Sequence, residues 1–87
     1  MITRRMRDTS KRMEILRKQY LMTTREIAQV VGVEQYVVVG WRKEKFQITQ
    51  KNYEKVCVMM MKLTGRNIKY KRQAFDLLME CDDDGEI

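Results

Sequence analysis

Residues 24–41 read TREIAQVVGVEQYVVVGW and predict a helix, a glycine-centred turn and a second helix. Ala28 precedes Gly32 by four residues, so a small side chain faces the turn and lets the two helices approach closely. Gly32 suits the turn because glycine adopts a positive φ at little cost. Val38 and Trp41 lie three residues apart and can share the buried side of the second helix. This order of small, glycine and apolar residues predicts a helix-turn-helix.

The helix before the turn begins with a capping box. In Thr23-Thr24-Arg25-Glu26, the Thr23 hydroxyl can accept from the Glu26 amide, and the Glu26 carboxylate can accept from the Thr23 amide. Caps, a glycine stop and the spacing of apolar residues predict the remaining helices. They run from a cap at Thr9 or Ser10 to about Tyr20, from about Glu34 to Lys43, over about 15 residues between a cap at Thr49 and a stop at Gly65, and from about Asn67 to Cys81.

Apolar side chains recur at helical spacing along these segments, so each predicted helix has a face for a shared core. The expected core residues are Met13, Leu16, Tyr20, Ile27, Ala28, Val31, Val38, Trp41, Tyr53, Val56, Cys57, Met60, Leu63, Ile68, Phe75, Leu78 and Met79. A chain of 87 residues is long enough for one such core. We therefore expect an all-α fold, a compact bundle of about five helices in one domain over residues 9–81, with a flexible basic arm (1–8) and a disordered acidic tail (82–87).

Composition argues against catalysis and against a bound metal. The chain has no histidine, so Ser-His-Asp and Cys-His sites are impossible, and Cys57 and Cys81 do not form a CxxC zinc motif. The glycines are isolated, so there is no glycine-rich phosphate loop. We expect a protein that is not an enzyme and that binds no cofactor. Without a long apolar run or a signal-peptide stretch, a cytoplasmic location with no membrane contact is expected.

The charge of the chain is its most informative global property. Lysine and arginine number 18 against 12 acidic residues, a formal net charge of +6. The acids of the C-terminal end are Glu80, Asp82, Asp83, Asp84 and Glu86. Residues 1–79 therefore hold all 18 cations against seven acids, a formal charge of +11. A small domain this basic suits a polyanion, with nucleic acid ahead of an anionic membrane surface.

The segment around the glycine turn resembles a known signature. It is similar to the helix-turn-helix signature of the lambda-repressor/Cro superfamily at Ala28, Gly32, Val33, Val38 and Trp41. The stretch AQVVGVEQYVVVGWRKE is also similar to the corresponding stretch in transcriptional activators of lambda-like phages. The specific match covers about 20 of the 87 residues. The resemblance implies a sequence-specific transcriptional regulator of the phage repressor or activator type, with helix 34–43 in the major groove of double-stranded DNA.

Carried over by position, the resemblance implies that exposed residues of the second helix contact bases. These residues are Gln35, Tyr36, Val39, Gly40 and Lys43. Gln35 can pair with an adenine edge, and Val39 can touch a thymine methyl group. Phosphate contacts are expected from a basic arm, from a helix start and from the end of the second helix. The phosphate-contacting candidates are Arg4, Arg5, Arg7, Thr24, Arg25 and Arg42.

Another basic cluster is formed by Arg66, Lys69, Lys71 and Arg72, which either contact DNA or form a solvated helix face. The second helix itself reads VVVG where related proteins place more polar residues, with Val37 and Val39 expected on the surface. It therefore either reads thymine methyl groups and groove shape or binds another protein.

These features leave two alternatives to a simple regulator. One is a protein–protein interaction module on a helix-turn-helix scaffold, and the other is a DNA-bending architectural or excisionase-like factor. Met59-Met60-Met61 and the apolar fifth helix predict self-association into a homodimer or higher oligomer. RNA polymerase or another regulatory protein is a further candidate partner.

Overall fold

The computed structural model describes the backbone of residues 1–84 and the side chains of residues 1–79. Its helices are α1 (Arg4–Lys18), α2 (Thr24–Val31), α3 (Gln35–Arg42), α4 (Gln50–Leu63) and α5 (Gln73–Asp84). This part of the chain contains no strand, so the predicted all-α fold of about five helices is confirmed. None of these helices is both long and apolar enough to cross a membrane.

The α2–turn–α3 unit forms as the sequence predicts. The Thr23 hydroxyl accepts from the Glu26 amide at 3.1 Å, and the Thr23 amide donates to Glu26 Oε1 at 3.0 Å, which completes the capping box. Gly32 ends α2 with a φ of +90°, a conformation that favours glycine, and its amide donates to the Ala28 carbonyl at 2.8 Å. Both bounds of α3 fall within one residue of the prediction.

Val38 and Trp41 place α3 against the core between α1 and α2. Val38 is 0% and Trp41 2% exposed, and both belong to one apolar cluster with Leu16 and Ile27. α4 packs across α1 and α2, and α5 packs on α2 and α4. Tyr36, by contrast, is an exposed residue of α3.

The first helix begins at Arg4, earlier than the predicted start near Thr9. The Thr3 hydroxyl caps α1 by accepting from the Met6 amide at 3.1 Å. Met6 is 5% exposed and extends the buried face of α1 by another turn. Thr9 lies inside the helix, where its hydroxyl donates to the Arg5 carbonyl at 2.8 Å. The prediction that this segment is a flexible arm is therefore wrong from Arg4 onward.

The fifth helix begins at Gln73, later than the predicted start near Asn67. Arg72 has a φ of +72°, a left-handed conformation that a continuous right-handed helix cannot contain. The turn before α5 is closed by the side-chain oxygen of Gln73, which accepts from the Lys69 amide at 2.8 Å. Residues 67–72 therefore form an irregular connection between α4 and α5.

The predicted acidic tail, residues 82–87, overlaps the end of α5. α5 continues to Asp84, so the backbone of the first three residues of this predicted tail is helical. Residues 85–87 lie outside the described part of the chain. Leu78, which is 2% exposed, is the last side chain of α5 that the structure describes in the core.

Candidate nucleic-acid interface

The first residues of α2 and α3 meet on the outer face of the helix-turn-helix. Gln35, which opens α3, donates from its side-chain amide to the hydroxyl of Thr24, which opens α2, at 3.0 Å. The hydrogen bond is exposed, so both groups remain accessible to a ligand. It joins a residue predicted to contact bases with one predicted to contact phosphate. A side chain held in this way loses less rotamer freedom on binding than a mobile one.

Tyr36, Gly40 and Lys43 follow one another along one face of α3, with the i, i+4, i+7 spacing of a helix. Tyr36 is 66% exposed, and Lys43 is an exposed residue at the C-terminal cap of α3. Gly40, in contrast, is buried beneath the ring of Phe46. A Cβ atom on Gly40 would collide with Phe46 Cδ2. The structure thus contradicts the prediction that Gly40 contacts a base.

The ring of Phe46 lies where a side chain on residue 40 would be. Phe46 was not predicted as a site residue. The chain turns back after α3 through Glu44, whose φ is +59°. The amides of Lys45 and Phe46 then donate to the Gly40 carbonyl at 2.8 and 3.4 Å. The Phe46 ring stays 42% exposed and meets Tyr36 edge-on, with ring centroids 6.2 Å apart. The sequence did contain one signal for this packing. A glycine lies inside the helix, and an aromatic residue follows shortly after the helix ends.

Val37 and Val39 are each half-buried, so the apolar surface of α3 is smaller than the VVVG sequence predicts. Val37 packs against the core cluster. Val39, predicted to contact bases, presents only part of its side chain to solvent. The exposed apolar surface of α3 and its following turn therefore comes mainly from Tyr36 and Phe46.

A basic groove, which we call the α2 groove, lies beside the start of α2. Its volume is about 370 Å³, and its lining comes from both ends of the helix-turn-helix, from α1 and from the α4–α5 connection. The lining residues are Arg17, Lys18, Leu21, Met22, Thr23, Thr24, Arg42 and Lys71. Because the amides at a helix start carry partial positive charge, this location favours an anion.

Glu14 orients the cations beside the α2 groove. Its carboxylate oxygens lie 3.1 Å from Arg17 Nη1, 3.5 Å from Lys18 Nζ and 3.8 Å from Arg42 Nε. The Ser10 hydroxyl donates to the Arg42 carbonyl at 2.7 Å and so joins α1 to the end of α3. One carboxylate thus faces three cations, and the surface keeps the positive charge that a phosphate backbone requires.

The α2 groove is lined by residues from two predicted groups, the phosphate-contacting candidates and the second basic cluster, and by residues that were not predicted. Thr24 and Arg42 were predicted to contact phosphate, and Lys71 belonged to the second basic cluster. Arg17 and Lys18 were not predicted, because nothing in the sequence shows that the end of α1 lies beside the start of α2. Together these residues form one continuous cationic surface at the helix-turn-helix.

Other basic candidates lie outside the α2 groove. Arg25 is exposed in the first turn of α2, where it is available to a phosphate. Arg66 and Lys69 are exposed on the α4–α5 connection. The Arg72 guanidinium lies 5.3 Å from the ring centroid of Phe75, so it packs on its own helix start. The second basic cluster is therefore divided, with Lys71 alone of its members lining the groove.

The arginines of the predicted arm lie on the first turns of α1. Arg4, Arg5 and Arg7 are exposed, but as parts of a helix they cannot extend into a minor groove as a mobile arm. The Arg5 guanidinium lies 5.4 Å from the ring centroid of Tyr53 on α4. A contact from these residues to phosphate would therefore come from a fixed helical surface.

Asp8, Arg12 and Tyr53 join α1 to α4, and we call them the Asp8–Tyr53 cluster. The Tyr53 hydroxyl and Arg12 Nε both donate to Asp8 Oδ2, the latter at 2.9 Å. The hydrogen bond from Tyr53, and after it that from Arg12, lowers the pKa of Asp8. The same bond to Asp8 raises the pKa of Tyr53. This cluster fixes to α4 a residue of α1, Asp8, that lies before the predicted start of the helix.

No family model, no curated protein and no solved structure matches this chain. The structure itself shows an all-helical fold in which α2, a glycine turn and α3 follow one another. Among the described residues, no three acidic or cysteine side chains are grouped so that they could hold a metal ion. The outer face of α2 and α3 carries the exposed Gln35–Thr24 hydrogen bond and the exposed Tyr36 ring.

Proposed function

We propose that this protein is a sequence-specific, double-stranded DNA-binding protein of the helix-turn-helix type that regulates transcription. α3 enters the major groove, which is about 12 Å wide and admits one α-helix. The observation that carries the proposal is the exposed hydrogen bond between Gln35 and Thr24, which fixes the start of α3 beside the start of α2. Gln35 then faces base edges while Thr24 faces the adjacent phosphate.

The charge distribution supports the same orientation. The α2 groove places Arg17, Lys18, Arg42 and Lys71 beside the helix that flanks α3. Lys43, next to Arg42 at the C-terminal cap of α3, is exposed. A duplex with its major groove on α3 would bring its phosphates to this cationic surface, which supplies sequence-independent affinity. Bases are then read by the side chains of α3.

We propose that the regulator acts as a homodimer, occupying an operator and blocking or contacting RNA polymerase. Met61 on α4 is 74% exposed and Met79 on α5 is 41% exposed, and exposed methionines suit an interface between copies. A two-fold dimer that binds one face of DNA places its two recognition helices about 34 Å apart. Such a dimer selects a palindromic site.

The protein-interaction alternative receives less support from the valines of α3 than the sequence suggested. It required Val37 and Val39 to form an apolar surface, and both are half-buried. The DNA-bending alternative makes the same contacts as a regulator and differs in the shape of the bound duplex. A bending assay therefore distinguishes a regulator from an architectural factor.

Fluorescence anisotropy tests the proposed function. Duplexes selected by the protein from a random pool would be titrated at about 50 and 200 mM salt, with a scrambled duplex of equal length as the control. We expect selective binding that weakens steeply with salt because several phosphates are contacted. Equal and weak binding to both duplexes would contradict the proposal.

A further inference from the structure

Phe46 acts as a side chain of α3 although it lies beyond the end of that helix. Its ring covers Gly40, where any Cβ atom would approach three of its carbons to within 2.8 Å. The ring therefore stands on the surface of α3 one turn after Tyr36, on the face that also carries Lys43. The surface of α3 at position 40 is therefore formed by the aromatic ring of Phe46 from the following turn.

Building on the proposed function, we propose that Phe46 and Tyr36 form an aromatic contact that reads thymine methyl groups in the major groove. The C5 methyl group of thymine is the apolar feature that distinguishes its base pair there, and aromatic carbon is a suitable partner for it. Gln35, at the start of the same helix, supplies the polar part of the readout. The aromatic pair supplies the apolar part.

The surroundings of the aromatic pair favour DNA over a protein partner. Lys43 and Lys45, which shortly precede Phe46 in the chain, are exposed, and the half-buried Glu44 lies between them in sequence. A protein partner that covered this surface would have to pair or desolvate both ammonium groups, whereas DNA provides a phosphate for each. The aromatic rings then lie over the groove while the lysines lie over its edges.

The aromatic pair is also held in place before binding. The Phe46 amide donates to the Gly40 carbonyl at 3.4 Å, and one side of the Phe46 ring is against Gly40. Its edge-on contact with Tyr36 restricts both rings. Because the rings are already ordered, contact with a methyl group costs little additional rotamer freedom.

The test replaces the thymines of a selected duplex one at a time with deoxyuridine, which lacks only the methyl group. For each contacted thymine that is replaced, the wild-type protein should bind about fourfold more weakly. This factor corresponds to the free energy of burying one methyl-sized group. Phe46→Ala should bind the thymine and deoxyuridine duplexes equally. Tyr70→Ala is the matched control, because Tyr70 and Tyr36 are each 66% exposed, and it should keep the fourfold difference.

The outcomes separate this inference from the proposed function. A wild-type protein that binds selectively but is insensitive to every deoxyuridine substitution overturns the inference and leaves the proposed function standing. A protein without selective binding overturns the proposed function as well. If Phe46→Ala does not fold, Tyr36→Ala takes its place, since Tyr36 lies outside the core. A fourfold difference that persists in Tyr36→Ala would also overturn the inference.

Discussion

Gln35 Nε2 and Thr24 Oγ1 lie 3.0 Å apart, so the first side chains of α3 and α2 are joined directly. In the proposed complex the two residues face different parts of the duplex, a base edge and a phosphate. Through their hydrogen bond, each side chain helps to hold the other in position. Base selectivity should therefore depend on Thr24 as well as on Gln35.

We expect Thr24→Val to reduce base selectivity at the position read by Gln35, although valine keeps the shape of threonine. Gln35→Ala should cost about 1–3 kcal/mol of discrimination at that base pair. The double variant should lose little more than Gln35→Ala alone, because both changes break one interaction. Anisotropy against single-base variants of the selected duplex measures this, with the exposed Gln29→Ala as control. Strictly additive losses would show that the two residues act independently.

Lys71 should contribute to affinity without contributing to sequence preference. It lines the α2 groove, whereas Lys69, two residues earlier, is exposed outside it. Lys71→Gln should weaken binding to all duplexes and flatten the dependence of log affinity on log salt by about 0.9, the value of one phosphate contact. Lys69→Gln should leave the slope unchanged. If the two substitutions have equal effects, Lys71 contributes only to the overall positive charge and makes no specific phosphate contact from the groove.

We expect that glycine is needed at position 40 because the Phe46 ring packs there. The helix itself does not need a glycine at this position. Gly40→Ala in the wild-type protein should destabilise it by roughly 1–3 kcal/mol, because the new methyl group collides with the Phe46 ring. In a Phe46→Ala background the collision is absent, and the same change should stabilise α3 by about 0.5–1 kcal/mol through helix propensity. Urea denaturation of the four proteins measures both values. The same sign in both backgrounds would contradict the packing seen here.

Trp41 should be the most costly single truncation in the helix-turn-helix. It is 2% exposed and belongs to the core cluster, so Trp41→Ala should cost roughly 3–5 kcal/mol. Its indole Nε1 is buried with no hydrogen-bond partner in the described part of the chain. Trp41→Phe should therefore cost much less, since it removes a polar group that makes no bond. Thermal melts compare the two variants, and equal losses would mean that the N–H group is bonded in solution.

Local signals in the sequence predicted the helix-turn-helix well. The capping box at Thr23 and the stop at Gly32 are contacts between residues at most four apart, so the sequence contains all of their geometry. The apolar spacing correctly predicted burial of Leu16, Ile27 and Trp41. On α4 it was wrong by one position, because Met59 is buried and the predicted Met60 is half-buried.

Features that depend on distant contacts could not be predicted in this way. The first turns of α1 contact α4 through Asp8 and Tyr53, which lie 45 positions apart. The α2 groove needs Lys71 to approach Arg17 and the start of α2. The burial of Gly40 needs the chain to turn back at Glu44, a residue with no preference for the left-handed conformation that it adopts.

The Asp8–Tyr53 cluster should make the stability of the protein depend on acidic pH. Hydrogen bonds from Tyr53 and Arg12 lower the pKa of Asp8 below its ordinary value of 3.8. A carboxyl group with a lowered pKa stabilises the fold above its unfolded pKa, and this contribution is lost as the pH falls through the lower, folded pKa. Asp8→Asn should therefore be less stable than wild type by about 1 kcal/mol at neutral pH, as expected for a partly exposed ion pair.

The difference between wild type and Asp8→Asn should close as the pH falls below the folded pKa of Asp8, because both proteins then carry a neutral group at this position. Urea denaturation at pH 7, 4 and 2 measures the gap. Arg12→Gln, which removes one of the two donors, should give a smaller gap at neutral pH that closes over the same range. A gap that stays constant with pH would mean that Asp8 stabilises α1 through its shape and not through its charge.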